Sequence, residues 1–103
     1  SHPHVVQPYE ADSTYVVYYS LGNLVSNQRW RYSDGGWLAE VEVIRCDTIE
    51  GLHYQTTPHP VWVMRPGYRV LPRSVGDTIN MSSSTRGQYN QFMSDTDKLL
   101  DLQ

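Results

Sequence analysis

The chain is 103 residues long, enough for a single small domain. Hydrophobic residues make up 39% and aromatic residues 12%, with eight Tyr and three Trp against one Phe, so a core is expected but a thin one. The formal net charge of −3, and eight basic residues scattered without a stripe, exclude the electrostatic footprint of a nucleic-acid binder. A lone cysteine, Cys46, excludes an internal disulfide and says nothing about compartment.

The chain opens "SHPHVVQP". His2 and His4 are two residues apart, a spacing that in extended backbone sets both imidazoles on one side. Pro3 stiffens the segment and biases His2 toward an extended conformation. Imidazole is the commonest metal ligand, yet two ligands are short of the three or four a zinc site needs. Taken alone, the pair is either incidental or part of a larger constellation.

Residues 14–23, "TYVVYYSLGN", are β-branched and aromatic on both faces, which predicts a central strand covered on both sides and ended by Gly22-Asn23. "SNQRWRYSDGG" follows as a polar loop, with turn chemistry at Asp34-Gly35-Gly36. "WLAEVEVIRC" alternates. It sets Trp37, Ala39, Val41 and Val43 on one face and Glu40 and Glu42 on the other, the pattern of a half-exposed antiparallel strand.

"DTIEG" reads as a turn and "LHYQTT" as the returning strand of a hairpin. Pro58 and Pro60 are expected to interrupt the sheet, and "VWVMR" to resume it as a short edge strand before the Pro66-Gly67 turn and "YRVLP". Residues 73–83 read as a polar connector. The period then changes: Tyr89, Phe92, Met93, Thr96, Leu99 and Leu100 share one face of a helix expected over 84–100. Thr85 and Gln88 resemble a capping box, weakened by Gly87. Strands first and one terminal amphipathic helix give an α+β class built mainly on antiparallel sheet. The expected division is residues 1–72, a 73–83 connector and an 84–103 helical segment. No run approaches the length of a membrane span.

Other chemistry-bearing residues have ordinary readings. His53 is expected to face solvent and His59 to lie in a loop between its prolines. Cys46, after Arg45, reads as a half-buried structural thiol rather than a nucleophile. Glu40 and Glu42 read as a solvated strand face. Trp37 and Trp62 are expected in core or rim packing, whereas Trp30, in a polar loop, is the candidate exposed contact.

Three segments together, "SHPHVVQP", "VVYYSLGNLVSNQ" and "GGWLAEVEV", resemble in order and spacing the C-terminal part of the poly-γ-glutamate capsule-biosynthesis (CapA) family. The resemblance covers about residues 1–45; Leu24 stands where that family usually has Phe. It implies a fold similar to the calcineurin-like metallophosphatases, a partial two-sheet sandwich here, whose last ligand motif is Gly-His-x-His. By that resemblance His2 and His4 correspond to metal ligands, with Asn23 orienting a ligand or substrate oxygen and Gln7 in the same segment. The remaining Asp, Asn and His ligands lie upstream in the family. The resemblance thus implies that this chain is one part of an extracytoplasmic, bacterial cell-envelope protein. That protein would hold divalent Mn, Zn or Fe and act as a metal-dependent hydrolase. The upstream half of the polypeptide, envelope polymer and capsule-synthesis proteins are the implied partners. The present chain alone would be without metal or activity. The alternative is a non-catalytic β-rich module that binds envelope polymer or a partner protein through Trp30 and neighbouring aromatic and arginine side chains.

Overall fold

A computed structural model describes residues 3–31, 33–46 and 49–101. It is an α+β structure of two antiparallel sheets and a C-terminal helix. A two-stranded sheet pairs β1 (Tyr9–Ala11) with β2 (Val16–Tyr18). The connection between them is pinned by Asp12. Its Oδ1 accepts from the Thr14 amide and hydroxyl, both at 2.6 Å, and from the Tyr15 amide at 3.2 Å. These bonds favour the ionised carboxylate and hold Asp12 below its ordinary pKa.

The main sheet has the order β3-β4-β5, with β3 at Gly35–Cys46, β4 at Ile49–Met64 and β5 at Arg69–Pro72. β3 and β4 form one long hairpin, in register from Gly35 opposite Trp62 to Arg45 opposite Leu52. β5 pairs only with the last part of β4, from Val61 opposite Pro72 to Met64 opposite Arg69.

This topology corrects several expectations. "VWVMR" is not an edge strand; Val61 and Trp62 pair with both β3 and β5 in the middle of the three-stranded sheet, and Val63 and Met64 continue along β5. Pro58 and Pro60 do not interrupt β4, and strand parity explains why. The Val63 amide points toward the β3 side, donating to the Asp34 carbonyl, whereas the Tyr54 amide points away and donates to the Ser13 carbonyl. Even-numbered nitrogens of β4 therefore face away from β3, and a proline at 58 or 60 removes no hydrogen bond to it. Nor is the 14–23 stretch a buried central strand. Only Val16–Tyr18 is a regular strand, and Tyr15, Val17, Tyr19 and Leu21 are each at least 40% exposed. Its β-propensity is real, but the element it joins is a small peripheral sheet.

Gly35 and Gly36 serve close packing rather than a turn. A Cβ on Gly35 would overlap the Val61 carbonyl oxygen and come within 2.6 Å of the Phe92 ring. A Cβ on Gly36 would meet the Leu21 carbonyl oxygen at 2.5 Å.

Within residues 73–83, Arg73–Gly76 form a short helix, α1. The C-terminal helix α2 spans Ser83–Asp101, close to the expected range. Its start is held by Ser82, whose Oγ accepts the Thr85 amide at 3.2 Å, so the cap lies three residues before the Thr85 expected from the sequence. α2 turns Tyr89, Phe92 and Met93 onto Trp62 and Leu71, with Met64, Ile79 and Met81 packed around them. The Trp62 and Tyr89 rings meet edge-on at 5.7 Å. Tyr89 also lies against Gly76, where a Cβ would overlap its ring. Its hydroxyl donates to Asp77 at 2.7 Å, and burial together with that acceptor raises its pKa to about 12.

Candidate functional site

The amino-terminal segment is drawn onto the 20–23 segment by short-range backbone chemistry. Val6 is buried and bridges Leu21, and the Gln7 amide donates to the Ser20 carbonyl at 3.2 Å. The buried Ser20 Oγ lies 2.7 Å from the Val5 carbonyl oxygen and 3.0 Å from that of Pro3, and accepts the Gly22 amide at 3.2 Å. One hydroxyl thus ties Pro3 and Val5 to the "SLGN" turn.

The same turn then crosses the start of β3. Leu21 accepts the Trp37 amide at 2.8 Å, the Asn23 amide donates to Gly35 at 3.1 Å, and Gly22 bridges Gly36. Gly22 has φ +72°, and a Cβ there would lie 3.0 Å from the Gly35 carbonyl oxygen and 3.1 Å from the Val6 nitrogen. Only glycine satisfies both the left-handed backbone and the crowding. Trp37, itself buried, donates its indole N–H to the Gln7 carbonyl at 3.3 Å. The three segments that carry the family resemblance are therefore packed on one another.

At their junction sits Asn23, 7% exposed. Its Nδ2 donates to Gln28 Oε1 at 2.9 Å and to the Ser33 carbonyl at 2.8 Å. Both amide protons being spent, Oδ1 is the end presented to His4 Nδ1, 2.9 Å away, and must be the acceptor. His4 therefore carries its proton on Nδ1 when neutral, which leaves the lone pair on Nε2. That is the arrangement by which an acceptor behind an imidazole fixes the tautomer of a metal ligand. His2 lies outside the described residues. Among the described residues no group of three His, Cys, Asp or Glu side chains could hold a metal ion. The donor chemistry here fits one oriented imidazole contributed to a site, not a complete site.

The other candidates fall elsewhere. Trp30 stands 57% exposed on the 24–34 loop, while its carbonyl accepts from the Ser33 amide and hydroxyl at 3.0 and 2.7 Å. His59 is in strand β4 rather than a loop, with Nε2 3.7 Å from Glu40 Oε1, both side chains exposed. His53 is half-buried rather than solvent-facing. Its Nε2 is shielded and has no hydrogen-bond partner among the described residues. Cys46 ends β3.

A second polar cluster carries no local signature in the sequence. Arg31 grips Asp95 of α2 through Nε and Nη2, at 2.9 and 2.7 Å, and these bonds hold the Asp95 carboxyl below its ordinary pKa. Beside it, Asp34 accepts the Trp62 indole N–H at 2.7 Å, and burial pushes its carboxyl up. Arg29 donates to the Val63 carbonyl at 2.6 Å and lies over the Trp62 ring, 5.7 Å from its centre. These four charged side chains help line a cavity of about 80 Å³. Two guanidinium groups face two carboxyl groups, and the cluster clamps the 24–34 loop to α2.

No family model, curated protein or solved structure matches the chain. No helix among the described residues is long and apolar enough to cross a membrane.

Proposed function

We propose that this chain is the C-terminal part of a capsule-biosynthesis protein of the poly-γ-glutamate type, resembling metallophosphatases. In this reading it acts at the bacterial cell envelope and contributes His2 and His4 to a divalent-metal site completed by residues upstream. The observation that carries the reading is the His4–Asn23 hydrogen bond, with the Asn23 amide locked by Gln28 and Ser33. A buried asparagine whose remaining acceptor is aimed at one imidazole nitrogen does for His4 what an outer-shell acceptor does for a metal-ligating histidine. His4 Nε2, and His2 by the same motif, would hold the ion. Bound there, it would supply an activated water for attack on a phosphoester or amide.

Within this chain the work is positional. Ser20 fixes the Pro3–Val5 segment, which is bent rather than extended, Gly22 permits the turn to approach it, and Asn23 sets the imidazole tautomer. The test is metal content of the purified intact protein. His2→Ala and His4→Ala should each cut occupancy sharply, and Asn23→Ala should lower it about 10–100-fold in affinity. Undiminished occupancy in both histidine variants overturns the reading.

A second reading has its own observation. Trp30 is an exposed large aromatic beside Arg31, whose side chain is 57% exposed, a pairing suited to a non-catalytic contact with envelope polymer or a partner protein. Trp30→Ala would then abolish polymer binding while leaving metal content unchanged.

A further inference from the structure

The long β3–β4 hairpin has two outer edges, and they are treated differently. On the β4 side the edge is closed along most of its length. β5 covers Val61–Met64, Pro60 and Pro58 present no N–H, and the Tyr54 amide is capped by Ser13. Tyr18 adds a side-chain contact, its hydroxyl 2.8 Å from Thr56 Oγ1. On the β3 side, odd-numbered residues face outward, as the Trp37 amide shows by donating to Leu21. Leu21–Asn23 cover the strand only as far as Trp37. Beyond it, the outward amides and carbonyls of Ala39, Val41 and Val43 make no hydrogen bond among the described residues. No proline or bulge protects that stretch before the register shift at Arg45/Cys46. Leu38, Val41 and Val43 are 45–55% exposed alongside it. An open edge of this length with apolar side chains is a template for another strand.

We infer that the outer edge of β3 over residues 38–44 is a docking site for an extended segment of a partner protein, added as a strand and carrying basic residues at alternate positions. The side chains on the edge select that occupant. Glu40 and Glu42 project to one face and are exposed; Ala39, Val41 and Val43 project to the other. A strand laid alongside places lysine or arginine next to the glutamates and aliphatic side chains next to the valines. A second copy fits poorly. Antiparallel self-pairing centred on Glu40, Val41 or Glu42 sets glutamate against glutamate, and parallel in-register pairing does the same. At the Ala39 end the edge runs into a hollow of about 390 Å³ lined by Leu21, Leu24, Trp37 and Leu38, which can seat an apolar side chain of the incoming strand. This inference does not depend on the metal site.

The probe is a capped peptide of alternating lysine and valine, about seven residues long, titrated into the 103-residue chain while amide hydrogen exchange is followed by NMR. At saturation, exchange of the Ala39, Val41 and Val43 amides should slow about tenfold or more, with Glu40 and Glu42, already bonded to β4, unchanged. Val41→Pro removes an outward N–H without touching the β4 ladder, as Pro58 and Pro60 do on the other strand, and should abolish binding. Should that variant fail to fold, exchanging Glu40 and Glu42 for lysine gives the same information: the lysine peptide should weaken about tenfold and a glutamate–valine peptide should gain. Absent protection, binding undiminished by either change, or protection that appears with rising protein concentration and no peptide, overturns the inference.

Discussion

The two ends of the β3–β4 hairpin share a sheet and a register but not an environment. At the Gly35/Trp62 end, side chains meet α2 and the 24–34 loop; Trp62 and Val63 are wholly buried and Phe92 is 2% exposed. Toward the other end, Val41, Val43 and Leu52 are 45%, 55% and 47% exposed, although the backbone ladder there is just as regular. Backbone pairing alone therefore does not make a core. The difference is the second layer, which α2 supplies at one end and the far end has no counterpart of among the described residues. Buried apolar area, not strand hydrogen bonding, separates the two ends in stability.

That contrast is sharpest at Phe92. Phe92→Ala should cost about 3–5 kcal/mol, read from urea unfolding, because its ring is enclosed on all sides. A change under about 1 kcal/mol would mean that α2 is not docked on the sheet. Gly35→Ala comes next, at about 1–3 kcal/mol, because the added methyl meets the Val61 carbonyl and the Phe92 ring with no space to yield. Combining it with Phe92→Ala should relieve part of that cost, a coupling that a double-mutant cycle measures.

Asp95→Asn, which loses charge-assisted bonds to a half-exposed arginine, should cost about 1 kcal/mol at neutral pH. The sign of its pH dependence follows from a folded-state pKa held down by Arg31. Its contribution is full above the ordinary aspartate value and is lost as pH falls through the lowered one, so the variant should unfold with a flatter acid limb below the ordinary aspartate range. The smallest effect belongs to the exposed end. Val43→Thr should change stability by less than about 0.5 kcal/mol, and amide exchange should show that end opening at lower free energy than Trp62 and Val63. A larger loss at Val43 would mean that the far end is packed after all.

Much of this was legible along the chain. The alternation from Trp37 to Val43 named a strand, and the 3.6-residue recurrence from Tyr89 to Leu100 placed α2 within about a turn of its limits, because both are local periodicities. The expectations that failed did so for non-local reasons. The 14–23 stretch has strong β-propensity, but propensity does not say which sheet a strand joins. Pro58 and Pro60 looked disruptive because a sequence does not show which edge their nitrogens face. Gly35-Gly36 looked like a turn because a glycine that permits close approach and one that permits a turn are the same letter. At the candidate site, the relation of His4 to Asn23 was an expectation of proximity between two segments. The acceptors that orient the asparagine, Gln28 and Ser33, and the Arg31–Asp95 clamp had no signal, since their partners come from loops with no repeating pattern.

The sequence by itself determined the local periods: the alternation of β3 and the apolar face of α2 are each properties of a few consecutive residues. Only the tertiary structure decided which of those elements is covered. Whether Val43 is core or surface, whether Pro60 breaks a strand, and which nitrogen of His4 bears the proton all depend on atoms far away in sequence. Burial and hydrogen-bond satisfaction are properties of the whole assembled arrangement, so they become fixed only when the layers meet.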